Sequence, residues 1–193
     1  MAAPLPDSDL DQLFRTARSY KWWTDAPVAE AQMRAIYDLA KWCPTANNIT
    51  PARFVWLASP ESQARLAPLI AESNREKMLK APLTVIVAYD LDFPDTLPIV
   101  APHAVGRFGD KEKAAFEALR SGTLQGAYLI MAARALGLDA GPMGGIDRPA
   151  IDAEFFAGTN VRTNFIVSIG EATEQGLKPR GGRLGFDEAC RIL

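Results

Sequence analysis

Two cysteines and a single histidine in 193 residues leave little from which to build a metal centre or a disulfide framework. Cys43 and Cys190 lie far apart and form no CxxC, and His103 is the one imidazole on offer, so neither metal ligation nor disulfide stapling is expected. Excess charge is missing too. A formal net charge of −2 gives no general attraction to nucleic acid or to a membrane surface. There is no long hydrophobic run: the most apolar helical segment, 128–138, is interrupted by Arg134 and falls short of the ~20 residues that span a bilayer. The opening Met-Ala-Ala-Pro-Leu-Pro-Asp-Ser-Asp-Leu puts acids and prolines where a signal peptide needs basic and then apolar residues. These absences predict a soluble cytoplasmic protein with no membrane or nucleic-acid partner.

What the chain has is apolar material, at 48% of its residues, enough for one large core. Its length fits a single domain over 1–193, on a prior of roughly 150 residues per domain. No repeat or low-complexity linker divides it. Ser8 or Asp9 is expected to cap a first helix through Leu10, Leu13 and Phe14. Further helical patterns cover 29–42, 61–73 and 76–80, the last stopped by Ala81-Pro82. Leu83 to Tyr89 and Val161 to Gly170 are near-continuous β-branched and apolar runs, expected as central strands buried on both faces. A long helix is expected over 113–136 with Gly137 as its C-cap. Residues 91–110 are rich in proline and show no periodicity, which predicts a mobile excursion over a site. A short amphipathic end, Phe186 to Leu193, closes the chain. Helices and strands mix without strict βαβ alternation, which favours an α+β sandwich over a doubly wound sheet.

The segment Cys43-Pro44-Thr45-Ala46-Asn47-Asn48-Ile49-Thr50-Pro51-Ala52-Arg53-Phe54 is too polar for a core and too ordered in composition for a linker. It lies between a helix that must stop at Pro44 and the strand-like Phe54-Val55-Trp56-Leu57. Its hydroxyl and adjacent carboxamides donate and accept at once, which suits a flat heteroaromatic ligand. Spacing alone equally describes an Asn-rich helix-to-strand turn. Pro-Thr-Ala-x-Asn followed by Pro-x-Arg-Phe resembles the PSAxNxQPWxF signature of the FMN-dependent nitroreductase family, and is most similar to the RutE/HadB-like branch that contains the malonic semialdehyde reductases. The similarity runs from about Leu13 to Leu193. It implies a nitroreductase-like, central, mostly antiparallel sheet wrapped by helices, and a homodimer with flavin at the subunit interface.

A flavin mononucleotide needs cations or free N–H groups at its phosphate, donors at N1 and O2, and a close contact at N5 that leaves the ring face open. For the phosphate the resemblance implies Arg18, Ser19 and Lys21 together with Lys178 and Arg180, with Arg183 a further candidate. Arginine forks match phosphate bidentately, whereas lysine acts as a point charge. Aligned on Ser19 and Lys21, the family's first arginine falls on Ala17, so Arg18 must substitute for it. For the pyrimidine end, Asn74 and Lys77 in Asn-Arg-Glu-Lys-Met-Leu are three apart and so on one side of a helical turn. The resemblance puts Asn74 at the ring edge and Lys77 near N1/O2, where an ammonium favours the reduced anion. For the ring face, Leu136 to Asp147 resembles the family's GLGxxxxPxxGF loop. There Pro142 and Met143 would pack on the isoalloxazine, and Gly144 and Gly145 would bring backbone N–H groups to N5 or O4. Pro44, Thr45, Ala46, Asn47 and Asn48 would approach the flavin of the partner subunit.

His103 and Arg107 fall in the 91–110 excursion, where a cation could orient an acidic acceptor. Trp22, Trp23, Trp42 and Trp56 are read as packing residues. The expected activity is FMN-dependent NAD(P)H oxidoreduction, with NADH or NADPH as co-substrate, through flavin N5 to a small-molecule acceptor. The resemblance suggests malonic semialdehyde, reduced to 3-hydroxypropionate, or else nitroarenes or quinones. No protein acid or base is required, so no catalytic side chain is expected. The rival readings are a flavin-binding or flavin-storage protein without reductase turnover, and a dimeric interaction module that has lost flavin.

Overall fold

The computed structural model describes residues 3–193. Helix α1 (Asp7–Leu10) runs into a π-helical turn, Asp11–Arg15, and an extended stretch leads to α2 (Glu30–Ala40). A 3-10 turn, Ala46–Asn48, precedes β1 (Ala52–Leu57), followed by α3 (Pro60–Leu66), α4 (Glu72–Leu79) and β2 (Leu83–Asp90). After α5 (Leu97–Val100) come α6 (Lys111–Ala135), β3 (Asp139–Met143), α7 (Arg148–Phe155), β4 (Val161–Gly170) and α8 (Phe186–Ala189).

The four strands form one sheet in the order β1-β2-β4-β3, with every pair antiparallel. The α+β reading holds. Alternation along β2 assigns its side chains to two cores. Val85 and Val87 join Val167 and Ile169 beneath α2 and α6, against Ile36, Ala40, Leu129 and Ala133. Ile86, Ala88 and Ile166 face the other way, onto Leu66, Met78 and Ile151 of α3, α4 and α7. With both faces covered, the centre of β2 is fully buried, as its unbroken apolar run predicts. The long helix can lie close to the sheet because Gly126 has no side chain: a Cβ there would stand 2.6 Å from the Phe165 ring and 2.9 Å from Val87. At its N-terminus Asp110 Oδ1 accepts from the backbone N–H groups of Glu112 and Lys113. At its other end Gly137 adopts φ +78°, and Gly137 and Leu138 donate to the carbonyls of Arg134 and Ala133 at 3.0 and 2.9 Å. This is the left-handed termination expected of a C-cap glycine.

Several expectations need correction. The first helix begins at Asp7, with Pro6 rather than Ser8 or Asp9 in the cap position and no side-chain cap bond. The helix expected over 61–73 is broken: Ile70 is extended and bridges to Ile146, and α4 starts afresh at Glu72. Residues 139–143, expected as part of a glycine-rich loop, form strand β3. The 91–110 excursion is not without periodicity. Phe93, Leu97, Ala101 and Ala104 are buried in their own cluster with Ile49, Ala114 and Ala118, a helical spacing carried by short turns that Pro94, Pro98 and Pro102 interrupt. Helix α7 has no counterpart in the sequence reading. Among the described residues no helix is long and apolar enough to cross a membrane.

Candidate cofactor site

The free edge of β3 organises the site. Tyr20 N donates to the Ala140 carbonyl at 3.2 Å, making Ser19 and Ala140 a parallel bridge. On the other side of the same segment, Thr24 N donates to the Glu171 carbonyl and Thr173 N to the Trp22 carbonyl, both at 2.9 Å. Residues 19–24 are thus threaded between β3 and the start of the C-terminal tail. Gly141 makes the seam possible, since a Cβ there would lie 2.2 Å from the Tyr20 carbonyl oxygen and 3.3 Å from the Trp23 ring.

Two neighbouring cavities open along this segment. A cavity of about 230 Å³ is lined by Ser19, Lys21, Asn74, Lys77, Pro142, Met143 and Gly144, all named from the sequence, together with Tyr20, Trp23 and Ser168, which were not. Asn74 and Lys77 reach it from α4, as their spacing predicts, and Lys77 Nζ donates to the Ser73 carbonyl at 2.5 Å. A Cβ on Gly145 would sit 3.3 Å from both the Asn74 carboxamide nitrogen and Ala71 Cβ, so Gly145 leaves room for Asn74 rather than lining the cavity itself. A Cβ on Gly144 would meet nothing within 4 Å. The floor includes Ser168, buried and hydrogen-bonded hydroxyl to hydroxyl with Thr84 at 3.1 Å. Burial pushes the Tyr20 phenol up, helped by Asp139, and so keeps it neutral.

The second cavity, of about 120 Å³, is lined by Arg18, Ser19, Tyr20, Lys21, Gln175, Gly176, Leu177 and Lys178. Ser19, Tyr20 and Lys21 line both, so the two cavities adjoin along this segment. Gly176, at φ +63°, turns the tail so that Leu177 N reaches the Glu174 carbonyl at 3.0 Å. The ends of the chain clasp one another here: Arg18 Nη2 donates to the Lys178 carbonyl, and Arg180 Nη2 donates to the Ala17 carbonyl at 2.6 Å. Arg183 turns back onto its own loop, donating to Gly181 and Gly182. Among the described residues no carboxylate lies within 4.0 Å of the charged nitrogens of Arg18, Lys21, Lys77, Lys178 or Arg180, although such pairs form elsewhere. Converging cations without counter-charges favour an anionic ligand.

The Pro44–Asn48 segment lines neither cavity. The backbone there and on towards β1 is wound through left-handed conformations at Asn47 (φ 50°), Asn48 (φ 59°) and Thr50 (φ 39°). Asparagine tolerates this region; for β-branched Thr50 it is strained. Buried side chains of α6 hold the loop: Ala46 N donates to Ser121 Oγ at 3.3 Å and Ala52 N to Gln125 Oε1 at 2.9 Å. Asn48 Nδ2 donates to the Val100 carbonyl at 2.7 Å, tying the loop to the excursion. His103 and Arg107 are exposed on that excursion and line neither cavity. Trp42 is 77% exposed, contrary to its reading as a packing residue, and Trp23 lines the larger cavity with its Nε1 buried and unpartnered. The Cys43 thiol is buried and pushed up to about 11 by that burial, which leaves it protonated and unreactive.

Fold and site define an α+β protein with two cation-lined cavities along one sheet edge. The comparisons narrow that class, for the chain belongs to the nitroreductase family: the description "Nitroreductase family" matches residues 14–170. A protein of Caulobacter sp. (strain K31), provisionally named NADH dehydrogenase/NAD(P)H nitroreductase, is 56% identical over 194 residues, covering 99% of this chain and 100% of that one. A protein of Stenotrophomonas maltophilia (strain R551-3) with the same provisional name is 51% identical, covering 100% of both chains. The fold is similar to that of a provisionally named nitroreductase of Exiguobacterium sibiricum, solved in complex with FMN. That match has a TM-score of 0.85 and 22% identity, covering 100% of this chain and 99% of that one.

Proposed function

We propose that this protein is an FMN-dependent NAD(P)H oxidoreductase, working as a homodimer on a small electron acceptor. The observation that carries the reading is the pair of adjoining cavities whose cations have no carboxylate within 4.0 Å, one lined by Asn74, Lys77, Met143 and Gly144 and the other by Arg18, Ser19, Lys21 and Lys178. That donor set fits FMN: point charges and an arginine fork for the phosphate, and an ammonium with a carboxamide for the ring edge. When bound, FMN accepts hydride from NAD(P)H and passes the reducing equivalents on.

The side chains divide the remaining work. Lys77 presents a fixed positive charge where the reduced ring gathers negative charge, which raises the reduction potential. Pro142 and Met143 pack against the ring, and side-chain-free Gly144 keeps one approach clear. Arg18, Lys21, Lys178 and Arg180 hold the phosphate, with Arg183 a weaker candidate because it folds onto its own loop. The homodimer is supported by apolar residues left exposed along α6, namely Phe116, Leu119, Leu124 and Tyr128, and by exposed Trp42. In such a dimer Pro44, Thr45, Ala46, Asn47 and Asn48 approach the partner's flavin. Malonic semialdehyde is the acceptor we favour, with nitroarenes and quinones as alternatives, and exposed Arg107 is the cation available for its carboxylate from the excursion, with exposed His103 as a further polar partner.

The test is the visible spectrum of the purified protein before and after anaerobic NADH or NADPH. A yellow protein that bleaches supports the reading. One that stays yellow with both nucleotides is a flavin-storage protein, and one that stays colourless after soaking in FMN refutes the site.

A further inference from the structure

We propose that Arg134, in the last turn of α6, is a positioning residue for the phosphate end of the flavin site, latching the Arg18 limb against the helix. The inference rests on the flavin reading above. Arg134 Nη1 donates to the Leu13 carbonyl at 3.3 Å, and Nη2 donates to the Arg18 carbonyl at 3.4 Å. The contact is returned from the N-terminal segment, where Gln12 Nε2 donates to the Arg134 carbonyl at 2.6 Å. The backbone of Arg18 is therefore gripped by Arg134, while the side chain of Arg18 donates to the Lys178 carbonyl and Arg180 reaches back to the Ala17 carbonyl. Remove the first grip and both later ones lose their anchor.

Only a forked guanidinium can donate to two separate carbonyls in a fixed plane; an ammonium on a flexible stem cannot hold the same geometry. The charge also matters. Arg134 is partly buried, burial draws its guanidinium below the usual arginine range, and among the described residues no carboxylate lies within 4.0 Å of it. Asp139 and Tyr20 face it at longer range, and Arg180 adds a like charge. Arg134 lines neither cavity, so its charge adds to the positive potential at the phosphate end without touching the ligand.

FMN and riboflavin share the ring and differ in the phosphate, so their dissociation constants separate this role from general scaffolding. Both are measured on the full-length, flavin-stripped chain by fluorescence quenching for wild type, Arg134→Gln and Arg134→Lys. The expected result is a roughly 10- to 100-fold loss of FMN affinity in Arg134→Gln, a smaller but clear loss in Arg134→Lys, and riboflavin affinity within about twofold of wild type. Equal losses for both ligands, or none in either variant, overturn the inference. If Arg134→Gln does not fold, Arg134→Lys decides it, and wild-type FMN affinity in that variant refutes the latch. A wild-type chain that binds neither ligand removes the flavin reading and the inference with it, whereas one that binds FMN no tighter than riboflavin removes the inference alone.

Discussion

Gly141→Ala is the sharpest test of how the site is built. The new Cβ would lie 2.2 Å from the Tyr20 carbonyl oxygen, a backbone atom that cannot swing aside as a side chain could. The segment carrying Ser19, Tyr20 and Lys21 must move off β3. Overpacking of this kind costs about 1–3 kcal/mol. Losing the hydrogen bond from Tyr20 N to the Ala140 carbonyl, 3.2 Å in the native seam, adds about 1 kcal/mol. Reduced freedom of the unfolded chain returns about 0.4–1 kcal/mol. The net is a destabilisation of about 1–3.6 kcal/mol, which for a domain of this size lowers Tm by roughly 2–14 °C. The same displacement separates the walls shared by both cavities, so bound flavin should fall in parallel. Differential scanning calorimetry and flavin content on the purified variant measure the two effects. Gly109→Ala is the control, because a Cβ there meets nothing within 4 Å and Tm should stay within about 2 °C. If Gly141→Ala melts with wild type and keeps its flavin, the seam does not organise the site.

Three further outcomes follow from the geometry. Lys77→Ala should slow flavin reduction by NADH roughly 10²-fold with the chain still folded, read by stopped-flow bleaching at 450 nm, a wavelength set by the flavin and not the protein; an unchanged rate removes Lys77 from the ring edge. Gln125→Leu should cost about 1–3 kcal/mol in urea unfolding, since it orphans the Ala52 N–H that Gln125 caps at 2.9 Å; a neutral result means water replaces the cap. Asp139 has its carboxyl raised by burial, against the Ala172 N–H bond and the Arg134 charge that lower it. A raised acid is costly to the fold once ionised, so Asp139→Asn, which keeps an acceptor for Ala172, should be the more stable protein at pH 7. That advantage should shrink as pH falls through the raised value and vanish below the ordinary carboxylate range near 4; a difference independent of pH disproves it.

The central strands were legible because burial on both faces leaves long apolar, β-branched-rich runs, Leu83–Tyr89 in β2 and residues 165–169 in β4, broken there only by Ser168. The edge strand was not. In Asp139–Met143, Gly141 and Pro142 are residues that strands avoid, and they are tolerated because Pro142 lies on an edge and Gly141 faces a neighbouring backbone. The helix expected over 61–73 breaks at Ile70 because a bridge to Ile146 outcompetes local propensity. Asn74 and Lys77 came from the family resemblance, and their spacing of three within one element puts both on the side of α4 that lines a cavity. Tyr20, Trp23 and Ser168 were not read as lining residues because only pairing between distant segments brings them to a cavity, and Arg134 was not singled out because its hold on the Leu13 and Arg18 carbonyls spans separations of 121 and 116 residues.

The bonds that join Arg18 to Lys178 and Arg180 to Ala17 cross sequence separations of 160 and 163 residues. Neither bond can form before residues 178 and 180 are present. During synthesis, sheet and both cores can assemble once Gly170 has emerged, while the phosphate end must wait for the tail. A chain cut after Gly170 keeps every strand yet has no means of completing the clasp. The cofactor thereby becomes a reporter of the tail, for the colour of the protein would distinguish a chain with its clasp closed from one cut after Gly170.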